Sequence, residues 1–283
     1  ELFVVNGAEC EPFLTADHRL MLEKTEELLV GVEIAARILG PRQVLLAVEA
    51  NKPDAIDALQ RAVSRRGLPY SVVPLRVRYP QGDEKQLLKA LTGREVPSGG
   101  LPLDIGAVVS NVGTIFAIYE AVVLDKPVVE RIITVSGGAV ARPGNFKVRV
   151  GTPIRELLGE CGGFREMPAK VVAGGPLMGF ALADLDSPVT KGTSGVLALS
   201  ARQAAVRRQT SCIGCGRCLE ACPFGLSPTA LYKCVDHQMY AEAMALGLMD
   251  CKECGCCGYV CPARLPLVQG MKLGKIMGRK KKA

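Results

Sequence analysis

The chain has 283 residues, 48% of them hydrophobic, so it is long enough for two or three domains with substantial cores. Its formal net charge is +7, and from Cys254 onward there are seven basic residues and no acidic ones. This basic end suits anionic lipid, an acidic partner or a solvated tail. Nucleic acid is disfavoured because no aromatic residues alternate with these charges.

The first part of the chain alternates predicted strands with predicted helices. The strands are 2–6, 43–50, 70–77 and 105–109, and the helices are 17–39, 53–67 and 84–91. Thr15 is expected to cap the first helix, and Gly40 to end it. Such alternation predicts a parallel sheet covered by helices. Because the chain opens on Glu1, directly before a strand, we expect an N-terminal part to be missing.

No transmembrane segment is predicted. The most apolar stretch, residues 105–124, is interrupted by Ser110, Asn111, Gly113, Tyr119 and Glu120, so it reads as a buried strand followed by a helix.

Three polar loops follow strands of the predicted sheet, at residues 6–11, 79–84 and 110–114. In a parallel sheet ligands bind at the carboxyl ends of the strands, so the three loops are expected to meet there. Each loop taken alone has a structural explanation as well, because polar residues cap helices and form turns.

The middle of the chain predicts a small β-grasp module. A strand at 128–135, a glycine-rich turn, a strand at 146–150 and a helix at 154–158 follow one another, and two more strands are expected at 170–173 and 195–199. The glycine-rich loops at 174–179 and 191–195 are interpreted as turns in preference to phosphate cradles.

The last part carries two copies of one motif, Cys-x-x-Cys-x-x-Cys-x-x-x-Cys-Pro, at 212–223 and 251–262. This spacing is typical of paired 4Fe–4S clusters, in which the cysteine before proline binds the other cluster. It assigns Cys212, Cys215, Cys218 and Cys261 to the first cluster, and Cys251, Cys254, Cys257 and Cys222 to the second. A zinc site does not need a repeated fourth cysteine and proline, and a disulfide framework suits short secreted chains.

A helix is expected from Ala201 through Arg207 and Arg208 to the first motif, and two short helices between residues 228 and 248. The cluster region is therefore predicted to be mainly helical. The expected domains are an α/β flavin and nucleotide domain at 1–127, a β-grasp region at 128–200, a two-cluster ferredoxin-like domain at 201–268 and a basic tail at 269–283.

Over essentially its whole length the chain resembles the C-subunit family of the Rnf (also called Rsx) electron-transport complexes, and its front resembles the FMN- and NADH-binding subunit of respiratory complex I. The resemblance rests on an Asn-x-x-Glu-x-Glu-Pro turn, a Tyr-x-x-Gly-acidic-Glu loop and an Asn-Val-x-Thr turn. It implies FMN and NAD(H) contacts at Asn6, Glu9, Glu11, Tyr79, Gly82, Asp83, Glu84, Asn111, Val112 and Thr114.

The sequence departs from this pattern in two places. Gly113 stands where the complex I relatives carry a glutamate, and the glycine-rich loop that precedes the first turn in the family is absent from this sequence. The resemblance therefore implies FMN for the full-length protein.

The resemblance implies a peripheral subunit on the cytoplasmic face of the cell membrane, which passes electrons between NAD(H) and iron–sulfur clusters. Its partners would be the other subunits of a complex that couples ferredoxin–NAD exchange to ion movement. No acid–base catalytic residue is predicted. Two alternatives remain: a corrinoid reductase of a bacterial microcompartment with the same architecture, and a cluster-only electron wire without a nucleotide site.

Overall fold

The computed structural model describes residues 1–205 and 208–280, without the side chain of Lys280. The chain divides into two compact units, Glu1–Ala204 and Ala205–Ala283. The four predicted domain limits stay predictions.

The first unit begins with a four-stranded sheet in which every neighbouring pair is parallel, as predicted. Its strands lie in the order β3-β2-β1-β4 and are β1 (Leu2–Gly7), β2 (Gln43–Glu49), β3 (Tyr70–Leu75) and β4 (Ala107–Asn111). Residues 107–123 thus form a strand and a helix, as expected. Among the described residues, every helix is too short or too polar to cross a bilayer.

Helices cover both faces of this sheet and bury alternate strand residues. Phe3, Val5 and Leu46 pack on one face with the first three helices and the fifth, and Val4 and Leu45 pack on the other with the fourth. The helices are α1 (Ala16–Glu23), α2 (Thr25–Leu39), α3 (Pro53–Arg65), α4 (Glu84–Thr92) and α5 (Val112–Val123).

The single helix predicted at 17–39 is wrong, because the chain forms two helices that part at Lys24. The backbone of Lys24 leaves the helical region, and the Thr25 hydroxyl donates to the Met21 carbonyl oxygen at 2.6 Å. Thr15 is at the N-cap of α1, but its side chain makes no capping bond. The Thr15 hydroxyl forms a hydrogen bond with the Asn145 side chain instead, and the Glu9 carboxylate caps the helix. Gly40 ends α2 in the left-handed conformation, as expected.

The rest of the first unit is built on a five-stranded sheet with the order β6-β5-β9-β7-β8. Its elements are β5 (Glu130–Ser136), β6 (Gly144–Arg149), α6 (Ile154–Glu160), β7 (Lys170–Ala173), β8 (Phe180–Ala181) and β9 (Gly195–Leu199). The predicted hairpin is confirmed as the antiparallel pair β5–β6. The β8 strand was not predicted, since two residues carry no periodic pattern.

The second unit is mainly helical, as predicted. Its helices are α7 (Arg217–Glu220), α8 (Pro228–Asp236), α9 (Tyr240–Ala245), α10 (Cys256–Val260) and α11 (Leu267–Lys280). The helix predicted from Ala201 is wrong: residues 201–204 form turns, and 208–216 have no regular structure. The Gln203 side chain accepts from the amides of Ser200 and Gly138, which holds this segment in a turn. Arg207 lies outside the described residues.

Most of the basic tail expected from residue 269 lies in α11, which extends to Lys280. Three glycines, Gly270, Gly274 and Gly278, lie on one side of α11 and approach the side chains of Tyr232, Val235 and Met244. A β-carbon on Gly274 would lie 2.4 Å from a Val235 methyl group, so the helix docks only where a side chain is lacking. Lys281 and Lys282 lie outside the described residues.

The close approach of α2 and α5 gives a test of packing. A β-carbon on Gly31 would lie 2.3 Å from the Ile115 carbonyl oxygen. We expect Gly31→Ala to lower the free energy of unfolding by about 1–3 kcal/mol, because the two helices must move apart. Gly159→Ala in α6 is the control, since no described atom lies within 4 Å of its added β-carbon. Equal urea midpoints for both variants would contradict this packing.

Candidate functional site

The two asparagines at the ends of β1 and β4 mark the ligand-binding edge of the parallel sheet. The chain proceeds from β1 to β2 and β3 on one side, and β4 lies on the other side of β1. The carboxyl edge between β1 and β4 is therefore the switch point where open α/β sheets bind ligands. Strand register places Asn6 opposite Asn111 there, and the side-chain amide nitrogen of Asn111 lies 3.4 Å from the backbone carbonyl oxygen of Asn6.

The first and second predicted loops meet at Gly82. The Asn6 side-chain amide donates to the Gly82 carbonyl oxygen at 2.9 Å, and the Gly82 amide lies 3.4 Å from the Cys10 sulfur. A β-carbon on Gly82 would lie 2.5 Å from the Ala8 carbonyl oxygen, so only glycine allows this approach. The sequence predicted that these loops meet, and the structure brings them together.

Glu9 and Asp17 form a buried pair of carboxyl groups below these loops. Glu9 accepts hydrogen bonds from the amides of Asp17 and His18 at 3.0 and 3.2 Å, and so caps α1. Burial, followed by repulsion from Asp17, raises the pKa of Glu9 to about 7. Burial also raises the pKa of Asp17, although the Asn111 side chain donates to Asp17 at 2.7 Å. Burial thus raises the pKa of both carboxyl groups, and that of Glu9 comes close to neutral pH.

Glu11 ties the first loop to the β-grasp region within the same unit. Its carboxylate accepts from the amides of Leu177 and Met178 at 3.1 and 2.8 Å. The Tyr79 hydroxyl donates to it at 3.5 Å, a long hydrogen bond. Burial raises the pKa of Glu11. The glycine-rich loop at 174–179, interpreted as a turn, is thus held at the edge of the candidate flavin site.

The remaining predicted FMN and NAD(H) contacts differ in what their side chains do in the structure. Asp83 caps α4 by accepting from Lys85 and Gln86, and Asn111 caps α5 by accepting from Gly113 at 2.8 Å. Val112 is buried in the core, whereas Thr114 is exposed in the first turn of α5. Glu84 begins α4 at the same edge. The predicted residues share one edge, but five of their polar side chains (Asn6, Glu9, Glu11, Asp83 and Asn111) bond protein groups and shape the loops.

Sequence reasoning missed an ion pair at the end of β2. Lys52 and Glu49 are both buried, with 2.6 Å between the ammonium nitrogen and a carboxylate oxygen. The Lys52 ammonium also lies 3.4 Å from the Glu9 carbonyl oxygen, so it joins the β2 loop to the first loop. The sequence signal for this ion pair was a glutamate directly after the apolar run Val44–Val48, because a charged side chain beside a buried strand needs a partner.

The cysteines of the two motifs line two separate cavities in the second unit. The first, of about 260 Å³, is lined by Cys212, Cys215, Cys218 and Cys261. The second, of about 20 Å³, is lined by Cys222, Cys251, Cys254 and Cys257, and also by Cys256. Each cavity therefore has three thiols of one motif and the proline-linked thiol of the other, which is the predicted exchange.

Four thiols per cavity fit the ligand chemistry of a 4Fe–4S cluster. Among the described residues, no three His, Cys, Asp or Glu side chains are arranged to hold a single metal ion. Each cysteine of a cubane binds a different iron, so the four sulfurs need not meet around one ion. The first cavity, of about 260 Å³, has room for such a group. Which cysteines act as ligands stays a prediction.

The second cavity is bordered by an ion pair whose acidic member has no counterpart in the first motif. The Lys275 ammonium in α11 donates to the Glu253 carboxylate at 2.6 Å and to the Cys251 carbonyl oxygen. The residue of the first motif that corresponds to Glu253 is Gly214, which has no side chain. The two cavities therefore differ in their electrostatic surroundings.

The raised pKa of Glu9 predicts a pH-dependent stability. Because the folded state holds the Glu9 proton up to about pH 7 and an unfolded carboxyl releases it near 4.5, stability falls as pH rises between these values. We expect Glu9→Gln to reduce this loss, by on the order of 3 kcal/mol at most. Urea unfolding at pH 5 and pH 8 measures it. Glu23→Gln, at an exposed position of α1, is the control. An equal change in the free energy of unfolding between pH 5 and pH 8 in the parent protein, Glu9→Gln and Glu23→Gln would contradict the assignment.

The bonds from Glu11 predict local protection of the loop at 174–179. We expect Glu11→Ala to speed hydrogen exchange at the Leu177 and Met178 amides by about tenfold or more, because each bond to a charged group is worth about 1.5–3 kcal/mol. Asp83→Ala is the reciprocal control, with faster exchange expected at Lys85 and Gln86 only. Unchanged exchange in Glu11→Ala would show that the loop is held by other contacts.

Comparison with known protein families agrees with this arrangement. Residues 1–120 match the Nuo51 FMN-binding domain, residues 132–181 match the SLBB domain, and residues 205–227 match a 4Fe–4S binding domain. The predicted order of an α/β flavin-type domain, a small β module and an iron–sulfur region is thereby confirmed.

Two solved structures of NAD+-reducing NiFe hydrogenase share the fold. The air-oxidized form has a TM-score of 0.61 at 21% identity and covers 100% of this chain and 48% of that chain. The H2-reduced form has a TM-score of 0.64 at 17% identity and covers 98% of this chain and 56% of that chain. At such low identity the likeness concerns the fold alone.

Curated relatives are much more similar. The chain is 49% identical over 243 residues to the C subunit of the proton-translocating ferredoxin:NAD(+) oxidoreductase complex of Clostridium ljungdahlii, covering 86% of this chain and 53% of the relative. It is 45% identical over 272 residues to the C subunit of the ion-translocating oxidoreductase complex of Rhodobacter capsulatus, covering 96% and 52%. The counterpart from the Na(+)-translocating ferredoxin:NAD(+) oxidoreductase complex of Acetobacterium woodii is 42% identical over 272 residues, covering 96% and 61%.

The chain thus spans between about half and three fifths of the length of these three relatives. The similarity extends over most of this chain, and it includes the flavin-type domain, the SLBB module and the cysteine motifs. The chain belongs to the family of the C subunits of ion-translocating oxidoreductase complexes.

Proposed function

We propose that this protein is the NAD-linked electron-transfer subunit of a membrane-bound ion-translocating ferredoxin:NAD+ oxidoreductase complex. The observation that carries the proposal is the exchange of cysteines between two cavities, on a chain that also has a flavin-type edge on a parallel sheet. FMN, when bound, accepts two electrons from a nicotinamide and releases them one at a time, as iron–sulfur clusters require.

The second unit supplies the cluster ligands. Cys212, Cys215, Cys218 and Cys261 would hold one 4Fe–4S cluster, and Cys251, Cys254, Cys257 and Cys222 the other. In the first cavity Cys212 and Cys215 are exposed and Cys218 and Cys261 are buried, whereas the four cysteines assigned to the second cluster are all half-buried. Solvent exposure is one determinant of cluster potential, so the two clusters would differ in potential.

The first unit supplies the flavin and nicotinamide edge. Gly82 lets the second loop pack against the Ala8 carbonyl oxygen of the first loop, Thr114 offers an exposed hydroxyl, and Tyr79 and Glu84 border the same edge. Asn6, Glu9, Glu11, Asp83 and Asn111 would act chiefly by holding these loops, and Val112 by anchoring α5. Burial and the neighbouring Asp17 carboxyl raise the pKa of Glu9 to about 7 beside this edge.

The relatives are named as subunits of complexes, and two of those names contain ferredoxin and NAD(+). We infer that this chain likewise works with partner subunits, with NAD(H) as its substrate and ferredoxin as the electron partner of the complex. The chain would lie peripherally on the cytoplasmic face of the membrane. Lys272 and Arg279 of α11 are exposed and suit a negatively charged neighbour.

The test is cofactor analysis of the full-length protein, purified without oxygen. We expect about eight irons and eight sulfides per chain, together with FMN, and reduction of the clusters by NADH alone. Cys222→Ala should lose about half of the iron and keep NADH-dependent flavin reduction, because the flavin edge lies in the other unit. Cys234→Ala is the control, since this thiol packs in the hydrophobic core of the second unit.

Two outcomes would contradict the proposal. Protein that holds zinc in place of iron would remove the electron-transfer role. Clusters that NADH reduces only after another dehydrogenase is added would leave a cluster-only wire.

A further inference from the structure

The buried ion pair of Lys52 and Glu49 lies next to the first loop (residues 6–11) of the candidate flavin edge. Strand register pairs Gly7 of β1 with Val48 of β2, so Glu49 follows the last pair at the point where this loop begins. The side chains of Lys52 and Glu49 are 9% and 3% exposed, and 2.6 Å separates the ammonium nitrogen from a carboxylate oxygen. Neither residue is among the predicted FMN and NAD(H) contacts.

Backbone hydrogen bonds fix the turn that carries this lysine. The Lys52 amide donates to the Glu49 carbonyl oxygen at 3.0 Å, and the Ile56 amide donates to the Lys52 carbonyl oxygen at 3.1 Å as α3 begins. The turn is also tied to the end of β3, where the Ala50 amide donates to a backbone carbonyl oxygen at 2.8 Å. The ammonium group is therefore held beside the first loop, where it donates a long hydrogen bond of 3.4 Å to the Glu9 carbonyl oxygen.

A buried ion pair contributes little net stability, because removing two charges from water costs about as much free energy as their attraction returns. Apolar side chains of similar volume would fill the same space without that cost. The Lys52 ammonium does two things that an apolar side chain cannot do here. It donates a hydrogen bond to the backbone of the first loop, and it places a positive charge beside that loop.

The positive charge acts on the carboxyl groups of Glu9 and Asp17. Burial and then Asp17 raise the pKa of Glu9, whereas Lys52 lowers it. Burial raises the pKa of Asp17 as well, and both Arg131 and Lys52 oppose that rise. The Glu9 carboxylate caps α1 by accepting from two amides of its first turn. Because an ionised carboxylate accepts stronger hydrogen bonds than a neutral one, a nearby positive charge favours the capping form of Glu9.

We propose that Lys52 is a positioning residue for the candidate flavin and nicotinamide edge. Its ammonium group, balanced by Glu49, holds the first loop at the Glu9 carbonyl oxygen and keeps the Glu9 side chain in the form that caps α1. The inference rests on the proposed function, since that function assigns the ligands of this edge. Its consequence is that a turn outside the predicted ligand contacts controls how well the first loop is ordered for NADH.

The experiment compares the full-length protein, purified without oxygen, with the double variant Lys52→Met/Glu49→Gln. Lys52→Met alone leaves Glu49 buried without its partner and should lose stability, whereas the double variant removes both charges. In the double variant we expect hydrogen exchange at the Asp17 and His18 amides to be about threefold faster or more, because the loop loses a hydrogen bond and Glu9 caps α1 less firmly.

Two further measurements separate positioning from a merely structural role. The pKa of Glu9, followed by carbon NMR of its carboxyl group, should rise above the parent value of about 7, because the positive charge is gone. In NADH-dependent flavin reduction, we expect the KM for NADH to rise by about threefold or more with a smaller change in kcat, because a less ordered loop weakens binding.

Lys24→Met is the matched control. Lys24 pairs with Glu27 at the same spacing of three residues and a distance of 2.9 Å, but this pair is much more exposed and follows the end of α1. It should leave all three measurements unchanged. A parent value in the double variant for any one of them would overturn the inference, and so would equal effects in Lys24→Met. A parent protein without FMN, or with a flavin that NADH does not reduce, would instead refute the proposed function. The exchange and titration results would still decide whether Lys52 holds the loop, so the two failures are distinguishable.

Discussion

The exchange of one cysteine between two motifs is the constraint on which the second unit depends. Each cavity has three thiols from its own loop and one from the other, so neither ligand set is complete unless both loops fold. The exchanged thiols, Cys222 and Cys261, each precede a proline. The short helices α7 and α10 begin at equivalent places after a left-handed glycine, which gives the two loops the same local geometry. Cluster binding by these predicted ligands would therefore be coupled to folding of this unit.

Helix α11 gives this arrangement its support. Its glycine side lies against α8 and α9, while its Lys275 reaches the backbone of the second motif at Cys251. Lys275, one of the basic residues near the end of the sequence, is thereby paired with Glu253 beside the second cavity. Net charge near an iron–sulfur cluster is one determinant of its potential, so α11 would influence the chemistry of a cluster bound by the second motif as well as the packing.

In the first unit, polar side chains at the ligand edge mostly hold loops in place. Asn6, Glu11 and Asn111 each satisfy backbone amides or carbonyls of a neighbouring segment. Leaving a polar group unpaired at such an edge would cost more free energy than a hydrogen bond contributes, so these side chains all have partners. The flavin edge is consequently preorganised by residues that need not touch the ligand, and the glycine at position 82 is as necessary as any of them.

Local patterns were sufficient to predict the parallel sheet, the hairpin β5–β6 and the mainly helical cluster unit, because strand alternation, turn glycines and cysteine spacing are properties of neighbouring residues. The crosswise ligand sets followed from the same spacing, and their gathering into two cavities agrees with them. The break at Lys24, the capping of α1 by Glu9 and the turn held by Gln203 were not predictable, since each depends on a partner distant in the chain or on competition from a nearby hydroxyl.

Tertiary structure alone decided two further features. It paired Asn6 with Asn111, and it turned Glu11, a predicted FMN and NAD(H) contact, towards the loop at 174–179. The sequence by itself determined which chemical groups this protein has and how closely they follow one another. Only the fold decided which of these groups bond other parts of the protein and which face a cavity, because that depends on contacts between residues that are far apart in the chain.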